Sequence, residues 1–233
     1  MKLGTSSALK AAALTVCVLC LACCAAAQLP SKTHGAHSGD LVSALEFIST
    51  TFHLPIIAEL TKSYPAHVSL LAGEDTAEQL LSQLSGQSPG YAWVTQDGVV
   101  LFYDIRLREA PGNFFNATIP RFVMPPDVAE LALQLNQEMG ADAGKARVMA
   151  GVPEKALASV KLRNGEALSN VTGREVLVEA AKQSNNLFSV VLFPTANPRT
   201  AEHISQAHMN WYLRSIDELR QNPTRLRSIP GGP

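Results

Sequence analysis

TAEQLLSQL at residues 76–84 and TGREVLVEA at residues 172–180 place the same kinds of residue in the same order. Each opens on a threonine, carries Gln79 or Glu175 three positions later, and then sets an apolar pair, Leu80-Leu81 or Val176-Leu177. A threonine hydroxyl can accept the backbone N–H of that third residue, whose own side chain returns a bond to the threonine N–H. Such a reciprocal box starts a helix. Leu80, Leu81 and Leu84 then share one helical face, as do Val176, Leu177, Ala180 and Ala181. A strand-like run precedes each box, HVSLL at 67–71 and SVKLRN at 159–164.

Working outward from the first box, Leu41, Leu45, Ile48 and Phe52 recur at helical spacing behind a cap at Ser38 or Asp40. LPIIAEL at 54–60 reads as a strand. YAWVTQ and VVLFYD flank Asp97-Gly98, a strong hairpin signal. Residues 105–117, with Pro111 and Gly112, read as a linker. Beyond them Pro126 suits the first turn of a helix bearing Val128, Leu131, Leu135 and Met139. The second box follows, then the closing strand LFSVVLF. The order is that of the first half, with an insertion placed within 141–158. The expected fold is α+β: two small modules, 39–104 and 118–194, each with helices packed on a short mixed β-sheet.

The ends of the chain read differently. Residues 1–27 combine Lys2 and Lys10, the apolar run AAALTVCVLCLACC, and Ala25 and Ala27 before Gln28, which is the anatomy of a cleaved secretory signal. The run is short for a membrane span, which needs roughly 20 apolar residues. Lipid anchoring fits less well, because Cys23 occupies the position before Cys24, where a small non-cysteine residue is wanted. All 4 cysteines lie in this segment, so thiol catalysis, thiolate metal sites and disulfides are excluded from the remainder. Removing it leaves 17 of the 19 basic residues against all 20 acidic ones, with no basic run that fits a nucleic acid. No further membrane-length apolar run follows. Residues 28–38 read as a flexible leader, 195–221 as a C-terminal amphipathic helix through Ile204, Ala207, Trp211, Ser215 and Leu219, and 222–233 as a disordered tail.

Taken together, Leu41, Ala44 and Leu45, then Val68, Leu70, Gly73, Thr76, Leu80, Leu81 and Gly86, resemble the short N-terminal domain shared by secretins and TonB-dependent receptors. The likeness covers roughly 39–104. The second half looks like a worn copy, with Ser184-Asn185-Asn186 for the glycine loop and without the final hairpin. The resemblance implies a periplasmic interaction module that engages a receptor, a secretin or a regulatory membrane protein.

Little in the sequence points to chemistry. Gly86-Gln87-Ser88-Pro89-Gly90 has the spacing of a nucleophile elbow, but it follows a helix and enters a strand, the reverse of what that motif needs. His203 and His208 diverge on a helix, and His34 and His37 fall in the leader. No catalytic, cofactor-binding or metal site is expected. A binding surface is expected instead. VVLFYD is apolar on both faces, so the second module, the Phe114–Phe115–Phe122 segment or a partner must cover one of them. Candidate interface residues are Tyr91, Trp93, Val100, Phe102, Tyr103, Trp211 and Tyr212. The reading is a periplasmic non-enzymatic adaptor. The alternative is a periplasmic small-ligand binder with its site between the modules.

Overall fold

The computed structural model describes residues 31–110, 113–143, 149–150, 157–193 and 210–221. The first half runs β1 (Lys32–His34), β2 (His37–Gly39), α1 (Leu41–Phe52), β3 (Ile56–Thr61), β4 (Val68–Leu70), β5 (Gly73–Asp75), α2 (Ala77–Gln87), β6 (Tyr91–Gln96) and β7 (Val99–Asp104). After the short helix α3 (Ile105–Arg108) and a 3-10 turn, Phe114–Asn116, the second half runs β8 (Thr118–Val123), α4 (Val128–Ala143), β9 (Met149–Ala150), β10 (Ala167–Thr172), α5 (Gly173–Ser184), β11 (Leu187–Phe193), β12 (Asn210–Ser215) and α6 (Ile216–Gln221). The α+β class is as expected. The sheet, however, is continuous across the halves: six strands lie in the order β6-β7-β3-β11-β12-β9.

The order of that sheet explains the layers. In the first half β6 and β7 form an antiparallel hairpin and β3 lies parallel to β7. The second half repeats this with the hairpin β11–β12 and β9 parallel to β12. Because β3 and β11 are parallel, every strand of the second trio runs opposite to its counterpart in the first. That reversal is a half-turn about an axis lying in the sheet across its strands, and it exchanges the two faces. Helices α1, α2 and α6 therefore pack on one face, and α4 and α5 on the other.

Each central strand serves both layers. Along β3, Ile56, Ala58 and Leu60 meet the first layer while Ile57 meets the second. Along β11, Phe188, Val190 and Leu192 face one side, and Leu187, Val191 and Phe193 the other. All residues of both strands are buried, as strands covered on two faces must be. VVLFYD obeys the same rule. Val100 and Phe102 lie under α1 and α2, while Val99 and Leu101 lie in the opposite layer. Intramolecular cover wins.

The repeat extends to small details. Both capping boxes form, with both reciprocal bonds at Thr76–Gln79 and at Thr172–Glu175. The Asp40 carboxylate accepts the Ser43 N–H at the start of α1 (2.7 Å), and Asp127 accepts the Glu130 N–H at the start of α4 (3.1 Å). The Gln87 side-chain oxygen accepts the Ser69 N–H (2.9 Å), and that of Gln183 accepts the Arg163 N–H (2.8 Å). Each glutamine sits at the same offset from its boxed threonine.

Several expectations need correction. The leader is not loose over its described part: β1 pairs with β5 and β2 with β4, and the His34 ring, buried, meets Asp75 at 3.1 Å. Residues 105–117 are no passive linker, since Leu107, Asn113 and Phe115 are buried. Around SVKLRN only a single bridge forms, Asp127 to Lys161, and the second half's strand before the box is β10, paired with β8. The second half does possess a final hairpin. Its second strand is β12, where a C-terminal helix was expected over 195–221; only α6 of that stretch is helical among the described residues. The signal at 1–27, the tail at 222–233, Ile204, Ala207, His203 and His208 lie outside the described residues, as does much of the presumed insertion. No helix among the described residues is long and apolar enough to cross a membrane.

Candidate functional site

One end of the six-stranded sheet is β6, paired on a single side. Its geometry begins at the Asp97-Gly98 turn. Both residues have positive φ (52° and 80°), the backbone of a two-residue turn that matches the twist of a hairpin. The turn fixes the register, with Gln96 opposite Val99 and Tyr91 opposite Asp104.

The register also decides which backbone groups are left over. Ile105 N–H donates to Gly90 C=O at 2.9 Å, so those two residues form a hydrogen-bonded pair. Antiparallel pairs alternate between bonded and non-bonded. Ala92, Val94 and Gln96 therefore direct their backbone groups at β7, while Tyr91, Trp93 and Thr95 direct theirs outward. The Tyr91 N–H is occupied by Ser88 C=O at 3.0 Å. Trp93 and Thr95 thus present N–H and C=O along an edge with no further strand among the described residues.

The side chains of this edge divide by face. Tyr91 is buried, stacks on Phe102 with ring centroids 5.9 Å apart, and shares a 2.9 Å hydrogen bond with Thr61 Oγ1. Burial pushes its phenol pKa up, with the Thr61 bond opposing. Trp93, half-buried on the same face, packs partly against the α1–α2 layer opposite Phe102. On the other face Val94 is 37% exposed and Gln96 is exposed with it, while Thr95 is exposed on the face of Trp93. Edge strands are commonly guarded by lysine, proline or a bulge. Residues 91–96, YAWVTQ, contain no charge and no proline.

The structure thus sorts the seven expected interface residues. Tyr91 and Trp93 lie on the open edge. Val100, Phe102 and Trp211 do not offer a surface: each is at most 1% exposed, and the Trp211 Nε1–H donates to Ser189 Oγ at 3.0 Å inside the core. Tyr103 is half-buried under the Arg108 guanidinium, 4.1 Å from its ring centroid. Tyr212 is half-buried against the α1–α2 layer. Ser88 of the elbow-like string is fully buried in the turn between α2 and β6.

Two polar clusters escaped the sequence reading. At the seam between halves, Arg174 in the first turn of α5 grips Glu59 of β3 with two nitrogens, Nη2 to Oε2 at 2.9 Å and Nε to Oε1. Asn113 donates to the same Glu59 carboxylate at 2.9 Å, and Arg174 Nη1 donates to Asn116 Oδ1 at 2.7 Å. In the opposite layer Glu46 of α1 is buried near Arg214 of β12, which in turn pairs with Glu218 of α6. Burial pushes the Glu46 carboxyl up to about 8; Arg214 opposes the rise and Asp40 adds to it. Arg214 Nη2 donates to Glu218 Oε1 at 3.1 Å, while Glu46 Oε1, Arg214 Nη1 and Glu218 Oε2 have no hydrogen-bond partner.

Elsewhere a groove of about 560 Å³ lies within the second half, lined by Arg121, Val123, Pro125, Glu130, Gln134 and Asn164 among others. Among the described residues no three His, Cys, Asp or Glu side chains gather as metal ligands. Comparison with known protein families, with characterised proteins and with solved structures finds no match to this chain.

Proposed function

We propose that this protein is an exported, non-enzymatic adaptor that works by protein–protein contact, taking an extended segment of an envelope protein as an added strand on β6. The observation that carries the reading is the unguarded edge: Trp93 and Thr95 point backbone donors and acceptors outward from a strand without charge or proline. In strand addition the main chain supplies affinity, and alternate side chains supply selectivity. Here Trp93 would select on one face and Val94 on the other. The secretory character of residues 1–27 supports a periplasmic location. The resemblance of 39–104 to the secretin and TonB-receptor domain supports a receptor, a secretin or a regulatory membrane protein as the partner.

The test is to immobilise the protein, identify by mass spectrometry what it retains from the native envelope, and repeat with Thr95→Pro. Proline there deletes an outward N–H and leaves the β7 ladder alone. Loss of a specific envelope protein with an unchanged circular dichroism spectrum is expected. Undiminished capture rejects β6 as the docking edge.

A further inference from the structure

We infer that in the free protein the β6 edge is closed by β6 of a second copy, antiparallel, with the twofold axis passing between the two Trp93 residues. The inference rests on the reading of β6 as the docking edge and names what occupies it before a partner arrives.

The outward backbone groups limit the registers. Bonded pairs must join outward residues of one copy to outward residues of the other, namely Tyr91, Trp93 and Thr95. With Trp93 opposite Trp93, the two residues exchange both N–H···O=C bonds. Each Thr95 N–H then reaches the other copy's Tyr91 C=O, whose own N–H is already used. Trp93 meets its equivalent on one face and Ala92 meets Val94 twice on the other, so apolar residues pair at the centre, and the mismatch of Tyr91 with Thr95 falls at the two ends. A shift of one step to a Val94-centred register sets Trp93 against Thr95 and Ala92 against Gln96, an apolar residue against a polar one each time. The Trp93-centred register is the better match.

Charge and topology point the same way. The edge carries no charged residue, and antiparallel pairing sends the two Asp97 turns to opposite ends, each beside the other copy's Pro89 and Gly90. A like-charge clash is absent along the whole pair. A β6-to-β6 pair about a twofold axis uses the same edge on both copies, so it closes the assembly at two copies in place of a head-to-tail chain.

Sedimentation velocity on the wild-type protein, Thr95→Pro and Thr95→Val tests this directly. Twice the chain mass is expected for wild type and for Thr95→Val, which keeps the N–H, and one chain mass for Thr95→Pro with an unchanged circular dichroism spectrum. The chain has two tryptophans, and Trp211 is buried within each copy. Dilution of the wild type should therefore red-shift the Trp93 emission, a shift absent from Thr95→Pro. A wild-type protein of one chain mass at every concentration, or a Thr95→Pro variant that keeps twice the mass, overturns the inference. The two readings fail separately. A monomeric wild type whose Thr95→Pro variant loses an envelope partner sinks self-pairing and keeps partner docking. A dimeric wild type whose monomeric Thr95→Pro variant keeps that partner does the reverse.

Discussion

Glu59 and Arg174, from opposite halves of the chain, form a two-pronged ion pair in the seam where β3 meets α5, with side chains only 4% and 13% exposed. The pair holds the start of a second-half helix to a first-half strand. A buried carboxylate is tolerable only with its partners in place, here Arg174 and Asn113.

Arg174→Met should therefore destabilise the protein by about 3–5 kcal/mol, the usual cost of stranding one member of a buried pair. The double variant Glu59→Gln with Arg174→Met should recover a good part of that loss. Urea unfolding of the four proteins in the cycle measures the coupling. A small effect of the single substitution would mean that water reaches Glu59.

Stability should fall as pH rises through the window set by Glu46. Its carboxyl is pushed up to about 8 in the folded protein from 4.5, chiefly by burial. Between those values the folded state holds a proton that the unfolded chain has lost, so the slope is negative, about 1.4 kcal/mol per pH unit. The contribution is fully present below pH 4.5 and is lost by about pH 8. Glu46→Gln should flatten this dependence and stabilise the protein at neutral pH by a few kcal/mol. Thermal melts from pH 5 to pH 9 compare the two, and parallel curves would rule out Glu46 as the source.

Gln87→Ala and Gln183→Ala should each cost about 1 kcal/mol, the ordinary net worth of the side-chain bonds that hold α2 to Ser69 and α5 to Arg163. The two sites lie in layers on opposite faces of the sheet, so their effects should add. Chemical denaturation of the singles and the double checks both magnitude and additivity.

What could be read from the sequence was local. The boxes at Thr76 and Thr172, the Asp97-Gly98 turn and the apolar faces of α2 and α5 are fixed within a few residues, and all appear as expected. β12 was missed for a physical reason. Trp211 and Leu213 alternate with Tyr212 and Arg214, the period of a strand, but the run passes straight into α6, whose Leu219 completes a helical spacing from Trp211 and Ser215. β1 and β2 are short and polar, and exist because β5 and β4 offer them partners. At the candidate edge, Tyr91 and Trp93 were visible in the sequence. That Val100 and Phe102 face inward was not, because alternation shows two apolar faces without showing what covers each. Glu59 and Arg174 left no local trace of each other at all.

The parallel joint of β3 and β11 also governs when the molecule can fold. Ile57, Val99 and Leu101 belong to the first half, yet the residues that shield them come from beyond residue 104, from Leu107 and Phe115 through α4 and α5 to Leu213. A growing chain that has reached only residue 104 holds half a sheet with one bare side. Closure needs β11, and β12 after it, from beyond residue 186. Long-range pairings of this kind delay the native state until most of the polypeptide exists. On the proposed reading of an exported protein, that delay would favour passage, because a narrow membrane channel takes a polypeptide that has not yet closed its sheet.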